Sequence, residues 1–203
     1  MSTVTPLMKL EGSRVWFTSD THYAHANICR ATSKWPADET RSFESLDAMN
    51  QALVDGINLS VPRDGILFHL GDWSFAGQEK IGQFRERLNV REIHLILGNH
   101  DHHLAKGREL QHFASVSPYL EITVDGQEIV LFHYGCRVWN ASHKGSWLLY
   151  GHSHGSLPPH GRSMDVGVDT NVYRPYSFQD VRLMLADREM PIVDHHGLRV
   201  EVT

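Results

Sequence analysis

Three short apolar runs that each stop at a polar cluster restrict this chain more than any other feature. Arg14-Val-Trp-Phe-Thr-Ser ends at Asp20, Gly65-Ile-Leu-Phe-His-Leu ends at Gly71-Asp72, and Ile93-His-Leu-Ile-Leu ends at Gly98-Asn99. Runs of this length, bounded by Gly, Asp and Asn, read as buried strands. Between them, Leu46, Met49, Leu53 and Ile57 share one helical face, as do Ile81, Phe84 and Leu88. Strand, helix, strand, helix, strand implies βαβ units with their polar groups collected at one edge of a parallel sheet, where open α/β sheets place their ligands.

The second half has a different texture. Tyr119 to Val124 and Gln127 to His133 flank Asp125-Gly126, a strong hairpin signal. Further strands are expected at Trp147 to Tyr150, Ser163 to Val168 and Leu198 to Val202. A helix is expected from about Ser177, whose Ser-x-x-Asp start resembles a capping box. The expected fold class is therefore α/β, an α+β four-layer arrangement in which two mixed β-sheets pack face to face as a sandwich with helices on the outer faces. A length of 203 residues, without linker, repeat or low-complexity tract, points to one domain over 1–203.

Composition narrows the function classes. An apolar fraction of 41% with 21% charged residues fits a soluble globular protein and excludes a coiled coil. No stretch is apolar for long enough to cross a bilayer and no basic-then-apolar leader opens the chain, so a cytoplasmic location without membrane partners is expected. Cys29 and Cys136 form neither a disulfide framework nor a metal knuckle. A net charge of −5 offers no basic footprint for a long nucleic acid, and a small phosphorylated ligand is the expected partner. Nothing in the chain fixes an oligomeric state.

The 15 histidines concentrate beside Gly, Asp and Asn rather than on helix faces. Asp20-Thr-His22 places a carboxylate and an imidazole two apart, so both can point the same way from extended chain. Gly71-Asp72 adds a carboxylate at a strand end. Gly98-Asn99-His100-Asp101 adds an amide oxygen, an imidazole and another carboxylate. His133 ends the hairpin, and Gly151-His152-Ser-His154 repeats the spacing of two. These oxygen and nitrogen donors, with no thiolate among them, suit divalent Mn, Fe, Zn, Ni or Mg, with Mn favoured, better than a structural zinc knuckle.

In order, the blocks Asp-x-His, Gly-Asp, Gly-Asn-His-Asp, His and Gly-His-x-His resemble the calcineurin-like metallophosphoesterases, over Phe17 to about Asn171. The resemblance implies a metallo-dependent phosphatase-like fold and two divalent metal ions. Asp20, His22 and His154 would hold the first, Asn99, His133 and His152 the second, and Asp72 would bridge them. Two cations roughly 3.5–4 Å apart clamp phosphoryl oxygens and acidify a bound water for in-line attack. His100 would then protonate the leaving oxygen or stabilise the transition state, and Asp101 would orient it or raise its pKa. Asn99, His100 and Arg137 are the candidate substrate contacts.

The short bacterial and phage members are closer still, sharing Asp20, His22, His25 and Asn27 and a segment like His133-Tyr-Gly-Cys-Arg-Val-Trp-Asn140. The protein Ser/Thr phosphatase branch continues Gly-Asp with an Asp-Arg pair. Here Gly71-Asp72 runs on as Trp-Ser-Phe-Ala-Gly, which argues against a phosphoprotein substrate.

Other polar residues take plainer readings. His69 and His94 sit inside strands and are expected to be packed or hydrogen-bonded. His25 and Asn27 stand between supporting the site and capping a loop. Asp165 and Asp169 are read as turn or strand-end hydrogen bonding ahead of a role at the site, and Trp139 and Trp147 as core. The expected function is metal-dependent hydrolysis of a phosphomonoester or phosphodiester on a small substrate, possible nucleotides included. A nuclease acting on short strands or ends is the alternative, and a non-catalytic scaffold a more distant one.

Overall fold

The computed structural model describes residues 8–102, 104 and 108–190, and the account below concerns these. In chain order they form β1 (Met8–Leu10), β2 (Val15–Thr18), α1 (Leu46–Ser60), β3 (Ile66–His69), α2 (Gln78–Glu86), β4 (Glu92–Ile96) and β5 (Ser115–Ser117). There follow β6 (Tyr119–Val124), β7 (Gln127–Phe132), β8 (Trp147–Tyr150), β9 (Ser163–Asp165), β10 (Tyr176–Ser177) and α3 (Phe178–Leu185). One five-stranded sheet has the order β10-β2-β3-β4-β5, and the other β1-β6-β7-β8-β9. Both are mixed. In the first, β2 to β5 run parallel and β10 joins antiparallel; in the second, only the β6–β7 hairpin is antiparallel.

Alternation along the strands divides the core. Val15, Phe17, Ile66, Phe68 and Leu70 from the first sheet meet Ile122, Val124, Ile129, Leu131, Trp147 and Leu149 from the second. The intervening Leu67, Ile93 and Leu95 point the other way, onto Met49, Leu53 and Ile57 of α1 and Ile81 and Phe84 of α2. The period of two sends alternate side chains to opposite faces, so one parallel sheet serves two cores. Each large side chain buried in this way contributes roughly 1.5–3 kcal/mol. The outer face of the second sheet carries a smaller cluster, Val130, Leu148 and Tyr150, against which Cys136 and Trp139 of a loop pack. The expected sandwich of two mixed sheets thus forms, with α1 and α2 on the outer face of the first sheet, while α3 joins the inter-sheet core through Phe178, Val181 and Leu185.

Local signals hold in detail. Ser45 caps α1 by accepting a hydrogen bond from Ala48 N, and Ser177 with Asp180 forms the expected capping box of α3. Three short strands, β1, β5 and β10, were not expected, because two or three residues are too few to show a period. The expected strand from Ser163 to Val168 stops at Asp165, where Asp165 Oδ1 accepts from Gly167 N at 2.8 Å and turns the chain. Leu198 to Val202 lies outside the described residues. Among the described residues, no helix is long and apolar enough to cross a membrane.

Candidate metal centre

Every cluster anticipated at a strand end sits on the loop that leaves the strand. Asp20 and His22 follow β2, Asp72 follows β3, Asn99 follows β4, His133 follows β7, and His152 and His154 follow β8. Neighbouring loops are cross-tied: Asp20 N donates to Gly71 O at 3.0 Å, His22 N to Asp72 O at 2.9 Å, and Gly151 N to His133 O at 3.0 Å. Asp20, His22, Asp72, His152 and His154 all have positive φ, between 47° and 67°. A non-glycine residue held there costs about 1–3 kcal/mol, and the cost is tolerated where surrounding bonds over-determine the loop. Of the eleven non-glycine residues with positive φ among the described residues, five are these candidate ligands.

Two groups of ligand atoms result, Asp20 with His22 and His154, and Asp72 with His133 and His152, the atoms of each group lying within 4.8 Å of one another. Asp72 stands between them, since its Oδ2 is 3.5 Å from His22 Nε2 and 3.6 Å from His133 Nε2. Its other oxygen accepts from His100 N at 2.9 Å. His133 Nδ1 meets Leu70 O at 2.7 Å, which leaves Nε2 facing Asn99 Oδ1 at 3.0 Å. That backbone contact sets the tautomer that a metal requires.

The chemistry of these donors fits divalent cations. Both ring nitrogens of His22 are buried and lack a hydrogen-bond partner, a costly state unless a ligand completes it. Burial lowers the pKa of His22 well below the ordinary range, with the Arg41 cation adding to the effect, and burial likewise lowers that of His133. Neutral imidazole is the form that binds metal. Burial pushes the Asp20 carboxyl up to about 7 against the pull of His154. The Asp20 oxygens accept from His152 N, at 3.1 and 2.9 Å, and the residue is fully buried, so a cation there would stabilise its carboxylate.

Close loop packing depends on glycine. A Cβ on Gly151 would collide with Ser19 Oγ and the Asp20 carboxylate, and one on Gly98 with Asp72. The expected partnership of Asp101 with His100 does not form. Asp101 is buried, and its oxygens accept from Asp72 N (2.7 Å), Gly98 N (2.8 Å) and Trp73 N (3.1 Å), so it joins the Gly71 and Gly98 loops. His100 lies instead against His22 (ring centroids 5.4 Å) and Phe75 (5.2 Å). Arg137 is exposed and borders another pocket, with Trp139, His160 and Arg162, away from the candidate ligands.

Sequence reasoning placed Asp165 and Asp169 in turn bonding, and for Asp169 the structure corrects this. Asp169 Oδ2 is 2.6 Å from His154 Nδ1, and the carboxylate is held by Arg41. Nothing in the spacing of residues 41, 154 and 169 signals the contact. Asp165 does make turn bonds, to Gly167 N and Gly155 N, and the second of these fixes the loop beyond His154. His25 is buried, with its ring against those of Phe75 and His22. Asn27 is exposed. His69 and His94 are hydrogen-bonded inside their strands, to Thr21 and Ser115, and Trp147 and Trp139 pack as expected.

Fold and site together define an α/β sandwich with two candidate metal-binding groups at its strand ends. Residues 13–199 match the sequence profile of the calcineurin-like phosphoesterases, and the chain belongs to that family. An uncharacterized protein of Methanocaldococcus jannaschii is 27% identical over 173 residues, 81% of this chain and 86% of the relative. Among solved structures, a protein of unknown function from Aquifex aeolicus shares the fold with a TM-score of 0.63 at 20% identity, covering 84% of this chain and 98% of its own.

Proposed function

We propose that the protein is a metal-dependent hydrolase that cleaves a small phosphoester at the strand-end cluster. The observation that supports this most is Asp72 Oδ2 standing midway between His22 Nε2 and His133 Nε2, with the nitrogens of His22 otherwise unsatisfied. In this reading Asp20, His22 and His154 hold one divalent cation, Asn99, His133 and His152 hold a second, and Asp72 serves both. Bound divalent cations offset charge on phosphoryl oxygens and make water a competent nucleophile at neutral pH. The mixed oxygen and nitrogen donor set accepts Mn, Fe, Zn, Ni or Mg, and Mn is the ion we propose first.

The remaining work falls to the chain's own groups. His100 is half-buried beside His22, where it is placed to give a proton to the leaving oxygen. Its backbone bond to Asp72 fixes the start of that side chain relative to the ligands. Asp101 acts on the chemistry only by locking the loops that carry Asp72 and Asn99. Arg137 has no part in the reading.

Metal-free protein loaded in turn with Mn, Fe, Zn, Ni and Mg should release p-nitrophenol from mono- or bis-p-nitrophenyl phosphate with at least one metal, and chelation should stop it. Silence on both esters with all five metals would overturn the proposal. Oligonucleotides of increasing length, offered to the same preparation, distinguish a small-molecule esterase from a nuclease.

A further inference from the structure

Beside His100 the surface opens into a cavity of about 280 Å³ that none of the candidate metal ligands lines. Phe75, Ala76, Gly77, Ile81 and Leu104 supply an apolar wall, and His100 borders both this cavity and the metal cluster. Phe75 is held in place from the protein side. Its ring stacks on His25 with centroids 3.8 Å apart and planes 15° from parallel, and lies 5.2 Å from the His100 ring. His25 is itself buried and lies 5.5 Å from the ring of His22. The chain of rings therefore fixes Phe75 relative to the cluster.

Among the described lining residues, charge is scarce. The only carboxylate among its described lining residues is Asp101, and both of its oxygens are taken up by backbone N–H groups. No Lys or Arg is among the described lining residues. An apolar wall with a preset aromatic side chain stabilises a flat, uncharged ring and does little for a bare sugar or a second phosphate. The volume lies just below the range for small-ligand sites, roughly 300–1,000 Å³, which suits one ring system and not a polymer.

From this juxtaposition we propose that the cavity receives the leaving alcohol of the phosphoester, and that this alcohol carries a planar uncharged ring, as an aryl alcohol or a nucleoside does. The inference rests on the hydrolase reading above. Water adds its oxygen to phosphorus, the bond to the ring-bearing alcohol breaks, and the alcohol leaves carrying the proton that the attacking water gives up. His100 borders both the cluster and the cavity, which sets the cavity beside the phosphorus-binding end of the site. Phe75 is a specificity-determining residue for the leaving side of the substrate.

Competitive inhibition of p-nitrophenyl ester hydrolysis by the metal-loaded protein tests this with two matched pairs. Phenylphosphonate is compared with methylphosphonate, and adenosine 5′-phosphate with ribose 5-phosphate. The ring-bearing member should bind about tenfold tighter in at least one pair, the size of one base–aromatic stack. Preference in the first pair marks an aryl alcohol, and preference in the second a nucleoside. Phe75→Ala should abolish the preference, Phe75→Trp should keep it, and inhibition by inorganic phosphate should be unchanged in both. Equal affinities within both pairs for the wild-type protein overturn the inference even if Phe75→Ala fails to fold. Equal weakening of all ligands, phosphate included, in Phe75→Ala overturns it too. Hydrolysis without any ring preference leaves the hydrolase reading standing, whereas absence of metal-dependent hydrolysis overturns both.

Discussion

His154 Nδ1 lies 2.6 Å from Asp169 Oδ2, and this contact sets which nitrogen of His154 is left for a metal. The carboxylate is immobilised in turn by buried Arg41, whose Nε and Nη2 each reach one of its oxygens at 2.8 Å. Arg41 also donates to Thr21 O at 2.8 Å and Asp20 O at 2.6 Å. One planar guanidinium thereby joins the loop of Asp20 and His22 to the group that orients His154. Burial works against the Asp169 charge, but the hydrogen bond from His154 and the Arg41 cation outweigh it and hold the carboxyl down at about 2.

Asp169→Asn should weaken one of the two cations by roughly 10–100-fold and leave the other nearly unaffected, the usual cost of losing a partner behind a metal-binding His. Calorimetric titration of Mn into metal-free protein reads both affinities directly. The metal-free variant should also melt below the wild type, because buried Arg41 loses its carboxylate partner, so both affinities are read at a temperature where it is folded. Two unchanged affinities would remove Asp169 from the account.

His100→Ala should lower turnover of p-nitrophenyl esters by about 10²–10⁴-fold, the range for a lost general acid, while metal content stays nearly intact. Its backbone N–H to Asp72 survives the substitution. Loss of both metals from this variant would instead make His100 a structural member of the site.

Gly151→Ala places a methyl group against Ser19 Oγ and the Asp20 carboxylate. Overpacking of this kind costs about 1–3 kcal/mol, to be read from urea unfolding of the metal-free protein. A change smaller than about 0.5 kcal/mol would mean that the two loops can separate without penalty.

His69 supplies a pH dependence. Burial lowers its pKa to about 3, while Nε2 lies 2.9 Å from Thr21 Oγ1. An unfolded His takes up a proton below about 6.5, and the folded one does so only near 3. Between these values the unfolded state binds more protons, so this residue's contribution to stability falls as pH falls. His69→Gln should flatten the stability profile between pH 6 and pH 4 by up to about 1.4 kcal/mol per pH unit. Parallel urea profiles for variant and wild type would show that His69 is not kept neutral.

Much of this protein was written locally. The apolar runs at Val15 to Phe17 and Ile66 to Phe68 mark buried strands, and the turn chemistry of Asp125-Gly126 and the box at Ser177 and Asp180 set a hairpin and a helix start. These signals act over a few residues, so they survive in a linear reading. So does the placing of donors just beyond strand ends, where a parallel sheet must gather them.

Tertiary structure decided the rest. The partner of Asp101 is a set of backbone amides rather than His100, and Asp169 meets Arg41 across a separation of 128 residues. No spacing rule encodes either contact. The left-handed backbone at Asp20, His22, Asp72, His152 and His154 also has no signature in residue type, because glycine is the usual marker of that conformation and none of the five is glycine. Sequence periodicity reports which face of an element is buried, whereas hydrogen-bond partners and strained loop torsions are fixed only when distant loops close on one another.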